Sequence, residues 1–350
     1  MLGTQSAPGL PPPAVPETAR PGTGRRHPVA GFVARRLATG ILTLLVASVL
    51  IFLATNVLPG NAAQVVLGRN ATGPAVHKLE TELGLGRPVA VRYLAWLGGV
   101  THGDFGQSAV ARAEGRPDAA ISATLGSPLA NSVILASLTA VLLVPLTLLF
   151  GALAGLYARR KTDWLISGPA LIASGLPEFV TGSALIYVFF TWLHVLPPVA
   201  LLSPGQSPLS QPRALVLPVL TLLAVAVGAG IRQVRAGMIE VLDQDYVRFA
   251  RLNGIGERRV ILRYALRNAL APSVQIIAQN LQYLVGGIIV VESVFAYPGI
   301  GTYLVNAVAA RDVTEVQAAA IILAALYIVI NIVADLIVVL LVPRLRTAMS

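Results

Sequence analysis

The chain has 350 residues, of which 55% are hydrophobic and 12% charged, against about 25% charged in an ordinary soluble domain. That deficit excludes a typical soluble fold and points to several segments that meet no water on any face. Cysteine is absent, which excludes a disulfide framework, thiolate metal sites and iron–sulfur clusters. His27, His77, His102 and His194 are scattered without metal-ligand spacing, so no metal site is expected. The net charge of +10 would suit nucleic acid, but the arginines sit between apolar segments. Retention of Arg and Lys in cytoplasmic loops accounts for them, and no nucleic-acid partner is expected.

In chain order, residues 1–30 are rich in Pro, Gly and Ala, as in Pro11-Pro12-Pro13. They cannot bury a core and read as a disordered tail. Arg35-Arg36 then introduces an apolar run over 37–58. The run is too long for the apolar part of a signal peptide, and a long tail precedes it, so it reads as a span. A loop follows over 59–130, in which Tyr93 and Trp96 are expected to anchor an amphipathic helix at the membrane interface. Five more apolar segments occupy about 131–158, 164–195, 214–231, 272–293 and 317–341. Each is near the roughly 20 residues a membrane span needs. Pro145, Gly151, Pro177, Gly182, Gly286 and Gly287 fall inside them, which packed neighbours tolerate. The Gly286-Gly287 pair reads as a point of close helix packing. The expected fold is therefore an all-α integral membrane protein with six transmembrane helices.

Charge sets the expected topology. With the N-terminus inside, eighteen of the 26 Lys and Arg residues are cytoplasmic. They lie in the tail, in Arg159-Arg160-Lys161, in the stretch 232–271 and at Arg344 and Arg346. Six of the remaining eight lie in the long 59–130 loop, and long loops count weakly in this rule. Both termini are then cytoplasmic.

The stretch 232–271 is too polar to cross a membrane and too patterned for a linker. Asp243 or Asp245 can cap a short helix whose first turn is Tyr246-Val247-Arg248. Gly254 is placed to end that helix with a positive φ, and Glu257 opens a second one. Val260, Ile261 and Tyr264 share one side of it, with Arg258, Arg259, Arg263 and Arg267 on the others. Ala250 and Gly254, four residues apart, form a small-residue stripe that another surface could approach closely. On residue chemistry alone, this basic pair of helices reads either as an element lying on anionic lipid or as a docking knob for a cytoplasmic partner.

The run DYVRFARLNGIGERRVILRYALRNALAP resembles the cytoplasmic loop of ABC-importer permeases, in the form used by the dipeptide, oligopeptide and nickel branch. The general motif is Glu-Ala-Ala, three residues, Gly, nine residues, Ile-x-Leu-Pro. Ala250, Gly254 and Leu266 match it, whereas Arg248, Phe249, Tyr264 and Arg267 replace its Glu, first Ala, Ile and Pro. The peptide branch departs in the same way. Other stretches are similar to that branch: the first span ending in Leu58-Pro59-Gly60, the loop segment ending in Gly103-Asp104-Phe105-Gly106, and VVESVFAYPGIG, which carries Glu292, Phe295, Pro298, Gly299 and Gly301. Val342 stands where the family often has Asp before Pro-Arg. The resemblance covers about 34–346, and the tail before it carries no assigned role.

What the resemblance implies is a type I ABC-importer transmembrane domain over 31–346, the first-permease (B-type) subunit of a peptide importer in the bacterial cytoplasmic membrane. It implies a second homologous permease, two ATP-binding subunits, an extracytoplasmic substrate-binding protein and the lipid bilayer as partners. ATP and Mg would belong to the ATP-binding subunits, with no cofactor and no catalytic residue in this chain. The coupling loop would be carried by Asp245, Tyr246, Arg248, Ala250, Gly254, Glu257, Arg258, Arg259, Leu266 and Asn268. Glu292, Phe295, Pro298, Gly299, Gly301 and Asp104 would lie on the outer, binding-protein side. Nickel complexes, glutathione and other small solutes are alternative cargoes.

Three intramembrane positions remain. Glu178 is a pathway candidate, because ionisable residues at membrane depth are commonly functional; the competing expectation pairs it with an arginine or backbone amides. Asn331 and Asp335 share a helix face and are expected to pack against another helix. An ion-coupled secondary transporter would need more such carboxylates and repeated halves, and no internal repeat is present. A membrane scaffold would have no use for the polar outer motifs. No phosphate-binding Gly-x-x-x-x-Gly-Lys-Ser/Thr loop occurs, Lys78 and Lys161 being the only lysines.

Overall fold

A computed structural model describes residues 28–57, 71–82, 84, 86–116, 120–203 and 205–341. Residues 1–27, the Leu58-Pro59-Gly60 motif and Val342 with the arginines beyond it lie outside the described residues. The described residues are almost entirely helical. In order they form α1 (Pro28–Val57), α2 (Gly73–Glu82), α3 (Val89–Thr101), α4 (Ala109–Ala113) and α5 (Ile121–Leu156). There follow α6 (Lys161–Gly175), α7 (Glu178–Ile186, extended by a π turn over Tyr187–Trp192), α8 (Pro212–Leu242) and α9 (Asp245–Leu252). The last part holds α10 (Glu257–Arg259), α11 (Leu266–Val294), α12 (Ile300–Ala309) and α13 (Val313–Leu341).

The six apolar segments are largely helical among the described residues. Among the described residues, α1, α5, α8 and α13 are each long and apolar enough to cross a membrane. The fifth is a bent pair: α6 and α7 meet at 113° across Leu176-Pro177. The segment expected as a span over 164–195 is thus two helices joined at a sharp bend. Leu176 is extended (φ −95°, ψ 137°), because the ring of a following proline disfavours helical backbone at the preceding residue. The sixth apolar segment lies in α11, 29 residues long.

The helices share two ends. α5 ends and α6 begins at Arg159-Arg160-Lys161; α8 ends beside them, where Met238 packs with Leu156, Ala265 and Ala269. α1 starts and α13 finishes there too, since Arg36 reaches Asp335. This is the basic end. The far end holds the start of α5, the end of α11 and all of α12.

α8 is the central element. Its glycine-rich faces let neighbours come to backbone contact: a Cβ on Gly228 would sit 2.4 Å from the carbonyl oxygen of Ala170 on α6, and one on Gly230 2.5 Å from Thr147 on α5. The reciprocal glycines are on α5, where a Cβ on Gly151 or Gly155 would lie 2.5 or 2.6 Å from Val234 or Met238. Such small-residue contacts replace the hydrophobic drive that lipid removes. Leu135, Leu143, Leu217, Leu222, Val291 and Phe295 complete the core between α5, α8 and α11. Trp164, Leu165, Ile172 and Val141 remain largely exposed, as an apolar surface in lipid should.

Candidate functional site

The loop between α8 and α11 projects from the basic end. α9 starts at Asp245, with Gln244 at its N-cap and no side-chain cap bond. The expected capping by Asp243 or Asp245 is thus corrected: Asp245 is itself the first helical residue, where its charge faces the positive helix end. Gly254 stops the helix at φ +73°, with open space around it, the left-handed conformation glycine adopts at least cost. Glu257 opens the next helix as expected. That helix is not a separate short one, however. α10 runs through a π turn over Val260–Ala265 directly into α11, so the loop is continuous with a membrane helix.

The knob has its own small core of Val247, Ala250 and Val260, flanked by Leu242, Ile255 and Tyr264. Ala250 is 5% exposed, so the expected Ala250–Gly254 docking stripe is corrected. Ala250 admits Val260 of the same chain, and only Gly254 is at the surface. The exposed surface is instead apolar and cationic. Phe249, Leu252 and Leu262 are 64%, 82% and 54% exposed, and Arg248, Arg258, Arg259 and Arg263 surround them, all exposed. Arg251 binds Glu257 through two hydrogen bonds of 2.7 and 3.1 Å across the glycine turn. These raise the Arg251 pKa and lower that of Glu257. Asn268 donates to the Tyr246 hydroxyl at 3.0 Å, tying the knob to α11. Leu266 is the first residue of α11.

A second constellation occupies the far end. Glu292 is fully buried. Its carboxylate accepts from the Ser132 hydroxyl on α5 and from the backbone N–H groups of Gly301 (2.7 Å) and Thr302 (3.3 Å). Every partner is a donor, the arrangement a carboxylate needs, and two of them belong to the first turn of α12. Glu292 therefore caps α12 from nine residues upstream. Gly299 and Gly301 are required by its approach, since a Cβ at either would lie 2.0 Å and 2.8 Å from the carboxylate oxygens. Asn131 donates to the Pro298 carbonyl (2.9 Å), and the Tyr297 hydroxyl donates to the Asn131 carbonyl (2.7 Å). Phe295 sits in the core, and its carbonyl accepts from Ala200 N–H at 2.7 Å. Thus Glu292, Phe295, Pro298, Gly299 and Gly301 are gathered into one clasp that pins the α11–α12 turn onto α5. Asp104 is elsewhere: it turns the 103–106 segment by accepting from Gly106 N–H at 2.9 Å.

Glu178 lies at the start of α7, just past the 113° bend. It accepts from Tyr283 of α11 at 2.7 Å, so the expected arginine or amide partner is corrected to a phenol. Gly287 lets this pair close, a Cβ there being 3.1 Å from the Glu178 carboxylate; Gly286, by contrast, faces open space. Close packing thus needs only the second glycine of the pair. Asp335 packs against another helix as expected, in an ion pair with Arg36 of α1 (2.9 Å). Asn331 donates to the Tyr327 carbonyl of its own helix. Tyr93 and Trp96 hold α3 to α1: they meet the Phe52 ring edge-on and tilted, at 5.4 and 5.8 Å, and Tyr93 bonds Ser48 at 2.9 Å.

Two buried polar groupings make links between helices that lacked a sequence signal. Asp163 holds Arg235 through bonds of 2.6 and 2.7 Å, linking α6 to α8. Asp312, 1% exposed, joins the 59–130 loop to α13. Each also makes local bonds, Asp163 to Arg159 N–H and Ser167, and Asp312 to Thr314 and Glu315 N–H, but the partners that link the helices are 72 and about 200 residues away.

Residues 147–347 match the family described as the binding-protein-dependent transport system inner membrane component, and 29–115 match that family's N-terminal region. The chain belongs to this family of importer membrane components. A peptide transport system permease of Brucella abortus (strain 2308) is 31% identical over 318 residues, covering 91% of this chain and 99% of its own. A peptide ABC transporter permease of Sinorhizobium fredii (strain NBRC 101917 / NGR234) is 32% identical over 315 residues, covering 90% and 99%. The glutathione transport system permease of Escherichia coli (O1:K1 / APEC) is 34% identical over 315 residues, covering 90% and 98%. The chain is thus a multi-pass permease of a type I ABC importer, not a catalytic subunit. Such permeases work with other permease, ATPase and binding-protein subunits.

Proposed function

We propose that this permease carries peptides into the cell by alternating access, paired with a second homologous permease. Its α9–α10 knob docks into one of two ATP-binding subunits, which hold ATP and Mg. An extracytoplasmic binding protein delivers cargo at the far end. Both termini and the basic end face the cytoplasm, in keeping with the arginine distribution. Relatives named for peptides support the cargo. The relative named for glutathione, itself a short peptide, fits the same class.

The observation that carries the docking assignment is the exposed apolar tip. Phe249, Leu252 and Leu262 stand out of a knob with its own core. Aromatic and aliphatic anchors ringed by arginine are the composition of an interface centre. The π turn gives the knob a continuous mechanical path into α11, so closure of the ATP-binding pair moves a membrane helix as a rigid lever. Tyr283, midway along that helix, and its partner Glu178 on α7 are pathway candidates.

The test is co-purification of the assembled complex carrying Phe249→Asp or Leu252→Asp. Loss of the ATP-binding subunits with retained membrane insertion is expected. Full recovery of those subunits, together with weakened binding to anionic vesicles, would instead assign the knob to the lipid surface.

A further inference from the structure

The family match falls into two parts, 29–115 and 147–347. The first part touches α13 at three levels. Arg36 pairs with Asp335 at 2.9 Å near the basic end. Gln317 donates to Thr55 at 2.7 Å toward the far end. Beyond the end of the helix, the Ser108 hydroxyl donates to Asp312 at 2.5 Å.

The third contact differs in kind. One oxygen of Asp312 accepts from Thr314 and Glu315 N–H, each at 3.1 Å, and caps α13. The other accepts from Ser108 and from Val110 N–H at 3.0 Å. Ser108 in turn accepts from Ala111 N–H and caps α4. A single buried carboxylate thus binds the amino ends of two helices, one from each part of the chain. Around it, Phe105 packs with Ile121, Ile300, Ala318 and Ala319, and Gln107 pairs with Ala120 in a short antiparallel bridge. The loop is not a free flap. It is seated on α12 and α13.

We propose that Asp312 is a positioning residue that fixes the outer loop to α13, so that a binding protein docked on this loop acts on the transport helices through α13. The inference rests on the importer reading above. A loop already seated loses little conformational freedom when a partner docks, whereas a loosened loop must be ordered at that moment.

The experiment uses the complete transporter with its binding protein in proteoliposomes, measuring ATPase rate against binding-protein concentration. Asp312→Asn keeps the shape but turns one oxygen, which accepts two bonds here, into an NH2 donor. Ser108→Ala removes the hydroxyl tie and the α4 cap, and leaves the Val110 tie and the α13 cap in place. Expected for Asp312→Asn is a roughly tenfold rise in the concentration giving half-maximal stimulation, about 1.4 kcal/mol, with basal ATPase unchanged. Ser108→Ala should shift in the same direction by a smaller factor, and it decides the matter if Asp312→Asn fails to assemble. A half-maximal concentration within twofold of wild type, or an equal fall in basal and stimulated rates, overturns the proposal. Absence of stimulation in the wild-type complex overturns the importer reading instead.

Discussion

Replacing Gly299 by alanine should damage the clasp at the far end more than any other single methyl group added to this chain's loops. The new Cβ would stand 2.0 Å from one Glu292 oxygen and 2.4 Å from the other, far inside van der Waals contact. Glu292 cannot swing away cheaply, because it is fully buried and held by Ser132, Gly301 and Thr302. Overpacking a tight interior costs about 1–3 kcal/mol. Freeing the carboxylate also sacrifices hydrogen bonds to a charged group, each about 1.5–3 kcal/mol. The total is about 3–6 kcal/mol, which for a domain of this size lowers the melting temperature by roughly 6 °C or more. The assay is the loss of monodisperse protein on heating in detergent, followed by size-exclusion chromatography. Gly286→Ala is the control: it adds the same methyl where nothing lies within 4 Å, and should leave the melting temperature unchanged or slightly raised. Equal stability of Gly299→Ala and Gly286→Ala would refute the account of the clasp.

Other outcomes follow from the same geometry. At Gly254 the constraint is backbone conformation, since φ is +73° and the space is open; Gly254→Asn should retain coupled transport, while Gly254→Val should insert normally but lose most of it in an uptake assay. Asp163→Asn leaves Arg235 without its bidentate partner in a half-buried site, and thermal denaturation should register a loss of about 3 kcal/mol. The exposed Arg251–Glu257 pair holds the Glu257 carboxyl below its ordinary value. Its contribution is present above that ordinary value and disappears as pH falls through the lowered one; screening limits it to about 0.5 kcal/mol, so Glu257→Gln should shift the melting temperature at neutral pH by no more than about 2 °C. Tyr283→Phe removes the bond to Glu178, and should change the cargo concentration for half-maximal uptake without changing the yield of assembled complex.

Hydropathy made the helical segments legible because each crosses lipid on its own composition. The loop was legible for a different reason: its charges and glycine form a pattern within thirty residues, roughly the reach of local sequence reading. What failed was orientation within that pattern. Ala250 and Gly254 share a spacing, but the stripe's direction depends on Val260 filling the space beneath Ala250. The bend at Leu176-Pro177 was signalled by the proline, yet a proline inside an apolar run is compatible with a kink as well as a sharp turn. Tyr93 and Trp96 have the composition of interface anchors, and their contact with Phe52, some forty residues earlier, has no local signal. Glu292 was singled out by a motif whose meaning is three-dimensional: the glycines after it exist to admit its carboxylate. Asp312 stands where a helix cap is legible in the sequence, but the links that Asp163 and Asp312 make between helices were not, because those partners are distant in sequence.

The glycine contacts along α8 have a mechanical consequence. With Val234 and Met238 lodged against bare backbone at Gly151 and Gly155, α5 and α8 mesh like a toothed rack. Sliding one along the other by a single residue would bring a side chain onto a backbone with no room for it. Any change of shape during the transport cycle must therefore carry these two helices as one block, and be taken up where the chain is already broken, at the sharp joint after Leu176.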